Sequence, residues 1–325
     1  MYLAPDEDET QIADEAHKIL SSVTPLARLH EANSSPELSP DARQTLAESG
    51  WFALSLPEAN GGSEMSEVEF ALYYREAGRQ CSSVDVLTQN LAILLAQDQP
   101  EIRDPLISGE RSVALVVADA DGVRLLGGKA DWALKVGPTS AELYDIDSHT
   151  FCTIPALDPA VSMWRLEQDL GEAVIHASTD KLWRQGELAV SAMLVGVAEA
   201  ALDLLVEYAK LRETFGKAIG SYQAVRHPCA DIATRLEAAR CQLWFAAAAM
   251  KEGRGDAMSH LDAAKHLANE AAAFATDLNI QLHGGIGVTD EYDAHIMMKH
   301  ALLLRKLFGS KRSLLNLLLN ARLEA

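Results

Sequence analysis

Arg212 heads a break between two helical stretches, in the run Arg212-Glu213-Thr214-Phe215-Gly216-Lys217-Ala218-Ile219-Gly220-Ser221-Tyr222-Gln223. A guanidinium in that setting can place a planar, permanent cation against a phosphate. A second break reads Gln281-Leu282-His283-Gly284-Gly285-Ile286-Gly287. Gly284 and Gly285 let the backbone approach a ligand closely. Gln281 offers both a donor and an acceptor. Each residue also has a purely structural reading. Arg212 would suit the negative end of a helix dipole, the glycine pair a helix stop, and Phe215 a core. Glu187, near the start of a long helical stretch, reads as a first-turn acid favoured by the dipole, as do Asp290, Glu291 and Asp293 beyond the glycine break. His227 and His283 each lie beside a motif, but no second ligand stands at metal-binding spacing, so hydrogen-bonded structural roles are expected. Cys81, Cys152, Cys229 and Cys241 form no CxxC pair, which argues against a zinc ribbon or disulfide framework and for a reducing cytoplasm.

These residues need elements to hold them. Ile12, Ala16, Ile19, Val23 and Leu26 recur at four- and three-residue steps, which predicts a helix over 8–31, kinked or ended at Pro25. A short helix follows over 40–50, with Ser39 and Pro40 at its start and Gly50 at its end. Further helices are predicted over 66–80 and 84–97. The middle changes character: 112–118, 123–126, 130–136, 143–146 and 150–154 are strand candidates separated by turn chemistry. Long Ala- and Leu-rich stretches over 187–211, 223–251, 258–282 and 291–323 then predict four helices, with short connections that favour an antiparallel bundle. The organisation is thus a helical domain over 1–108, a small β domain over 109–181 and a four-helix bundle over 182–325, a mainly α chain. With 28 Lys and Arg against 47 Asp and Glu, the net charge of −19 argues against nucleic acid or an anionic membrane as partner. The acidic start MYLAPDEDETQ predicts no secretory signal, and no apolar run is expected to span a membrane. The expected location is the cytoplasm.

Three segments, in order, resemble the acyl-CoA dehydrogenase family. The run Arg212 to Val225 resembles its R-x-x-F-G-K-x-I-x-x-x-Q-A segment, and Gln281 to Gly287 resembles its Q-x-x-G-G-x-G segment. Gly50-Trp51, Pro57-Glu58 and Gly61-Gly62 resemble its G-W…P-E-x-x-G-G segment. The helical–β–helical order matches as well. The resemblance implies an FAD-dependent α,β-desaturation of an acyl-CoA thioester. It also implies that Arg212, Thr214, Phe215, Tyr222, Gln223, Gln281, Leu282, His283, Gly284 and Gly285 reach across an interface to the pyrophosphate and adenosine end of a neighbour's FAD.

The family pattern breaks where the chemistry would be. The reaction needs a carboxylate to remove the α-proton, and the family places it at one of two positions. Counted without gaps, one falls on Phe308, followed by Gly309, and the other on Gly186. Neither is an acid, and Glu187 lies one residue away. The family's T-E-P-x-x-G-S-D-like stretch, which lines the flavin ring, is absent from SVALVVADADGVRLLGGKADW, with Lys129 and Trp132 as remnants of a later part. The resemblance therefore implies the smaller, non-catalytic subunit of a heteromeric enzyme, an α2β2 heterotetramer. A larger partner would supply the base, the ring pocket and most of the CoA site. Such assemblies resemble those that desaturate steroid side-chain CoA thioesters, and the family passes electrons to an electron-transfer flavoprotein. The alternatives are a self-sufficient enzyme using Glu187 as base and a flavin-free structural subunit.

Overall fold

The computed structural model describes residues 5–30, 36–119 and 122–324. Met1–Ala4, Glu31, Ala120, Asp121 and Ala325, all part of the readings above, lie outside the described residues. Two compact units are formed: one of 1–20, 67–81 and 187–325, the other of 21–66 and 82–186.

The second unit carries the sheet. Helix α1 (Glu7–Val23) stops before Pro25 and a 3-10 turn, Leu26–His30, follows, as the proline predicts. Helix α2 (Pro40–Glu48) starts where Ser39 Oγ accepts the N–H of Ala42 at 3.1 Å, and proline occupies its first turn. After α3 (Glu67–Arg79), which like most of α1 belongs to the first unit, come α4 (Asp85–Leu95) and α5 (Pro100–Ile107). Helix α5 escapes the sequence pattern because Pro105 lies inside it. The strands are β1 (Val113–Asp119), β2 (Gly122–Leu126), β3 (Trp132–Val136), β4 (Ala141–Asp145), β5 (Phe151–Ile154), β6 (Met163–Leu166) and β7 (Ile175–Ala177). They form one sheet in the order β5-β6-β2-β1-β3-β4-β7, parallel only between β1 and β3. One face buries Ala114, Val116, Leu125, Tyr144, Ile146 and Leu166. Asp119 pairs with Gly122, so only two residues separate β1 from β2.

The first unit is the bundle. Helix α6 runs Lys181–Leu211, α7 Gln223–Lys251 and α8 Ala257–His283. The predicted fourth helix is two, α9 (Ala294–Leu304) and α10 (Lys311–Glu324). The chain breaks between them because Phe308 and Gly309 take left-handed φ values of +50° and +112°, which no helix accommodates. Alanines 246–249 of α7 and Ala264, Ala268, Ala271 and Ala275 of α8 are buried, and their short side chains let helix backbones pack closely. Buried Glu199 on α6 is held by Arg79 at 3.3 Å and by Arg240 at 2.9 Å, which ties α3, α6 and α7 together. By length and composition α6 is apolar enough to cross a membrane, contrary to the sequence expectation, but 72% of that apolar window is buried inside the folded chain.

Helices α3 and α6 cross at a reciprocal glycine contact. A Cβ on Gly78 would lie 2.0 Å from the Met193 carbonyl oxygen, and one on Gly196 would lie 1.9 Å from that of Arg75. Backbone oxygens cannot step aside as a flexible side chain can. Gly196→Ala is therefore expected to cost at least about 2 kcal/mol, despite alanine's better helix propensity. Urea unfolding measures it, and a loss below about 0.5 kcal/mol would contradict the close crossing.

Candidate functional site

The site is built at one end of the bundle from three short pieces. The first is a hairpin: β8 (Glu213–Thr214) pairs with β9 (Lys217–Ala218), with Thr214 opposite Lys217. Phe215 and Gly216 form its two-residue tip with φ of +51° and +80°. Positive φ at both central residues is the pattern of a type I′ turn, whose twist suits the hairpin. Glycine adopts it freely, whereas phenylalanine does so at a steric cost of about 1–2 kcal/mol. The Phe215 ring is nevertheless 97% exposed, so the strain is not repaid by burial within this chain. Strain concentrated on one outward-facing aromatic residue points to a role in contact.

The second piece closes the hairpin. The Arg212 carbonyl accepts the N–H of Ile219 at 2.8 Å. Tyr222 donates its hydroxyl to the Thr214 carbonyl at 2.9 Å, while Lys217 Nζ lies 4.2 Å from the centre of the Tyr222 ring. Tyr222 thus braces the hairpin from behind. Arg212 projects from the surface, and among the described residues its side chain makes no hydrogen bond or ion pair. Gln223, the first residue of α7 and next in sequence to Tyr222, is exposed as well. An apolar recess of about 450 Å³, lined by Val206, Ala209, Ala218 and Cys229, backs the hairpin.

The third piece is the end of α8. Gln281 is exposed and Leu282 half-buried, while His283 is buried. Gly284 turns the chain at φ +68° and ψ −142°, a backbone conformation that effectively requires glycine. A Cβ on Gly284 or Gly285 would meet nothing within 4 Å, so open space lies above both. A ligand could approach that backbone directly. Gly287 is different, since its Cβ would press on the Ile280 carbonyl oxygen at 2.9 Å.

His283 is the fastener beneath this turn. Its Nδ1 lies 2.7 Å from the Asn279 carbonyl oxygen, which fixes Nδ1 as the protonated nitrogen. Burial pushes the imidazole below its ordinary value, against the opposing pull of that carbonyl. Its Nε2 is buried and finds no partner among the described residues. The ring is flanked by Tyr208 at 4.2 Å and Tyr292 at 4.8 Å between centroids. Tyr208 also donates to the His283 carbonyl at 3.5 Å. Tyr208 stands one helical turn before Arg212, so this aromatic stack connects the glycine turn of α8 to the α6 end that carries the hairpin. The structure thereby brings the Arg212–Gln223 and Gln281–Gly285 segments together. The sequence reading missed Tyr208 and Tyr292, since neither belongs to a motif.

Glu187 has a different setting. Helix α6 begins at Lys181, so Glu187 is not a first-turn acid as the sequence suggested. It is buried in the bundle, and its charge acts on Lys265 of α8, which is fully buried. Lys265 Nζ donates to Asn269 Oδ1 at 3.1 Å and to the Leu304 carbonyl at 3.4 Å. Burial is the largest influence on this ammonium and brings it down to about 7; Glu187 pulls it up and Arg305 pushes it down. The two positions reached by ungapped counting are Phe308 and Gly186. Phe308 is buried, with the left-handed backbone that breaks α9 from α10, and Gly186 lies within α6. Asp293 caps α9 in sequence without a side-chain capping bond.

Residues 6–98 match the family model for the acyl-CoA dehydrogenase N-terminal domain, and residues 181–322 match that for the C-terminal domain. Over 270 residues the chain is 32% identical to the acyl-CoA dehydrogenase IpdE2 of Mycobacterium tuberculosis, covering 82% of this chain and 81% of that one. It is also 32% identical over 276 residues to acyl-CoA dehydrogenase FadE34 of the same organism; these are 79% of this chain but only 38% of FadE34. Among solved structures, a variant of the Tcur3481-Tcur3483 steroid ACAD superposes with a TM-score of 0.81 at 26% identity, covering 98% of both chains.

Proposed function

This chain belongs to the acyl-CoA dehydrogenase family, and we propose that within it the chain is the smaller, non-catalytic subunit of a heteromeric FAD enzyme. Phe215 is the observation that carries the proposal: a strained, outward-facing aromatic at the tip of the hairpin that Arg212 begins. Such a surface makes sense against a ligand held by another chain.

The residues present fit one half of an FAD. Arg212 offers an uncommitted guanidinium to a pyrophosphate. The bare backbone of Gly284 and Gly285 forms a cradle that any side chain would fill. Gln281 offers an amide beside it and Gln223 another at the start of α7, with Thr214 on the first hairpin strand, Phe215 at its tip and Leu282 and His283 beneath the turn. Tyr222 acts indirectly, by holding the Thr214 carbonyl. Bound FAD supplies the hydride acceptor for desaturating an acyl-CoA. This chain's contribution is to orient the cofactor's adenosine end and neutralise its phosphates. The two-residue link between β1 and β2 provides no segment to line the flavin ring. No carboxylate stands at either base position, and Glu187 serves as the buried counter-charge of Lys265. A larger partner supplies the base, the ring pocket and the CoA site in a cytoplasmic α2β2 assembly, and electrons leave to an electron-transfer flavoprotein. Likeness to a steroid ACAD supports a bulky steroid side-chain CoA as substrate.

Flavin absorbance per subunit tests this. The isolated chain is expected to be colourless, and the chain co-purified with the acyl-CoA dehydrogenase encoded beside it to be yellow, with one FAD per heterodimer. Stoichiometric FAD on the isolated chain would overturn the proposal and restore Glu187 as a base to mutate. Assays of the complex on steroid and straight-chain acyl-CoAs test the substrate, and a straight-chain preference would exclude the steroid.

A further inference from the structure

The C-terminal end of the bundle is opposite in charge to the rest of the chain. From Ala294 onward there are six basic residues, Lys299, Arg305, Lys306, Lys311, Arg312 and Arg322, against one acid, Glu324; the whole chain has 28 basic residues and 47 acidic ones. Large apolar side chains share this surface. Leu315 is 43% exposed and Leu319 57%. Four residues apart on α10, they form one ridge, which Arg312 extends by a turn. Next to the start of α10 lies a groove of about 410 Å³, where Phe274, Met298 and Leu302 are ringed by Arg235, Arg305 and Lys311. Glu270 already engages Lys311 at 3.0 Å and Arg305 at 3.9 Å. Arg235 stacks 4.2 Å from the centre of the Phe274 ring. Among the described residues, the side chains of Arg235, Lys306 and Arg312 make no hydrogen bond or ion pair.

We propose that this basic, leucine-ridged face docks the larger catalytic subunit, through an apolar patch on that subunit rimmed with acids. The proposal rests on the heteromeric reading above and adds where and by what chemistry the partner binds. Charge selects the occupant. A two-fold dimer would set this face against its own copy, cations on cations, which opposes association. A phospholipid surface or a nucleic acid would attract the cations but would also meet a chain of net charge −19. The leucine ridge has no counterpart on a phosphate backbone. An acid-rimmed apolar patch satisfies the cations and the leucines together. The groove is also continuous with the flavin-facing surface. Asp277, in its wall, is exposed one turn before Gln281, also exposed, on the same helix. A partner seated here would lie beside the glycine turn.

The test is the dissociation constant of the co-purified complex, measured by analytical ultracentrifugation at low and high salt. Lys306→Glu/Arg312→Glu changes two exposed positions. It is expected to raise Kd by about 100-fold at low salt, with much of the difference lost at high salt. Leu315→Ser/Leu319→Ser is expected to raise Kd by about tenfold or more at both salts, because screening does not weaken apolar contact. Lys181→Glu, an exposed charge reversal elsewhere, should leave Kd unchanged. Circular dichroism establishes that each variant folds. A flavin-loaded complex whose Kd ignores both double variants would place docking elsewhere and leave the heteromeric reading intact. Self-association of the chain, or binding to phosphatidylglycerol vesicles, abolished by the same variants would overturn the proposal in favour of that occupant. Stoichiometric FAD on a chain that forms no complex would remove the heteromeric reading itself.

Discussion

Lys265→Met and Glu187→Leu are expected to be non-additive, the double variant being more stable than the two single changes sum to by about 2 kcal/mol or more. Lys265 is a lysine with no solvent exposure in the middle of α8. Among the described residues its ammonium donates to Asn269 and the Leu304 carbonyl, and it feels the fields of Glu187 and Arg305. Removing the cation alone takes from Glu187 a favourable charge that is present below about pH 7. Removing both members replaces two desolvated polar groups by apolar ones in a packed interior, which is often close to neutral. The double-mutant cycle should therefore show a coupling of about 2 kcal/mol or more. Simple additivity would mean that the two do not act as a pair.

The same lysine sets a pH dependence whose sign can be worked out. Its ordinary value is 10.5, and burial lowers it to about 7 in the folded chain. Between these values the unfolded chain binds the proton and the folded chain does not. Stability from this group therefore rises with pH across that window, at up to about 1.4 kcal/mol per pH unit. Below about 7 both states are protonated, and the cost of the buried cation is fully present. In a background of Glu187→Leu, Lys265→Met should flatten the urea midpoint between pH 7 and 10. An unchanged slope would show that another group sets it.

Several elements declared themselves locally because their stop signals are backbone chemistry. Helix α7 begins and ends where predicted, at Gln223 and Lys251, since the Gly253 and Gly255 that follow oppose helix continuation. Pro25 ended the first helix for the same kind of reason. The α9–α10 break was hidden. Its residues look helical, and only the left-handed Phe308 and Gly309 separate the two helices. Strands β6 and β7 were missed because exposed Arg165 and His176 interrupt short strands at sheet positions fixed by pairing partners distant in sequence. The Arg212–Gln223 and Gln281–Gly285 segments were legible as residue types. Their support was not, because Tyr208, His283 and Tyr292 become neighbours only through folding. Lys265 left no trace at all: one lysine among alanines reads as a solvated face until the bundle closes over it.

Arg212→Ala should weaken FAD binding to the heteromeric complex by about 10- to 150-fold while leaving the complex assembled and the fold intact. That range corresponds to losing about 1.5–3 kcal/mol of charge-assisted hydrogen bonding to a phosphate. The fold should tolerate the change because the Arg212 side chain is exposed and makes no hydrogen bond or ion pair among the described residues. The hairpin hydrogen bonds at this position come from its backbone, through Tyr208 and Ile219, and alanine keeps them. Arg212→Lys discriminates further. It preserves the charge but loses the planar fork, so it should recover only part of the affinity. Flavin retention during dilution, with subunit mass followed in parallel, separates cofactor loss from subunit loss. Unchanged flavin content in Arg212→Ala would favour a flavin-free structural subunit. Loss of flavin together with dissociation would mean that the guanidinium holds the partner rather than its cofactor. Clean loss of flavin from an intact complex is the result that a half-site serving a neighbour's FAD requires, because only then does the cation act on a ligand this chain does not hold alone.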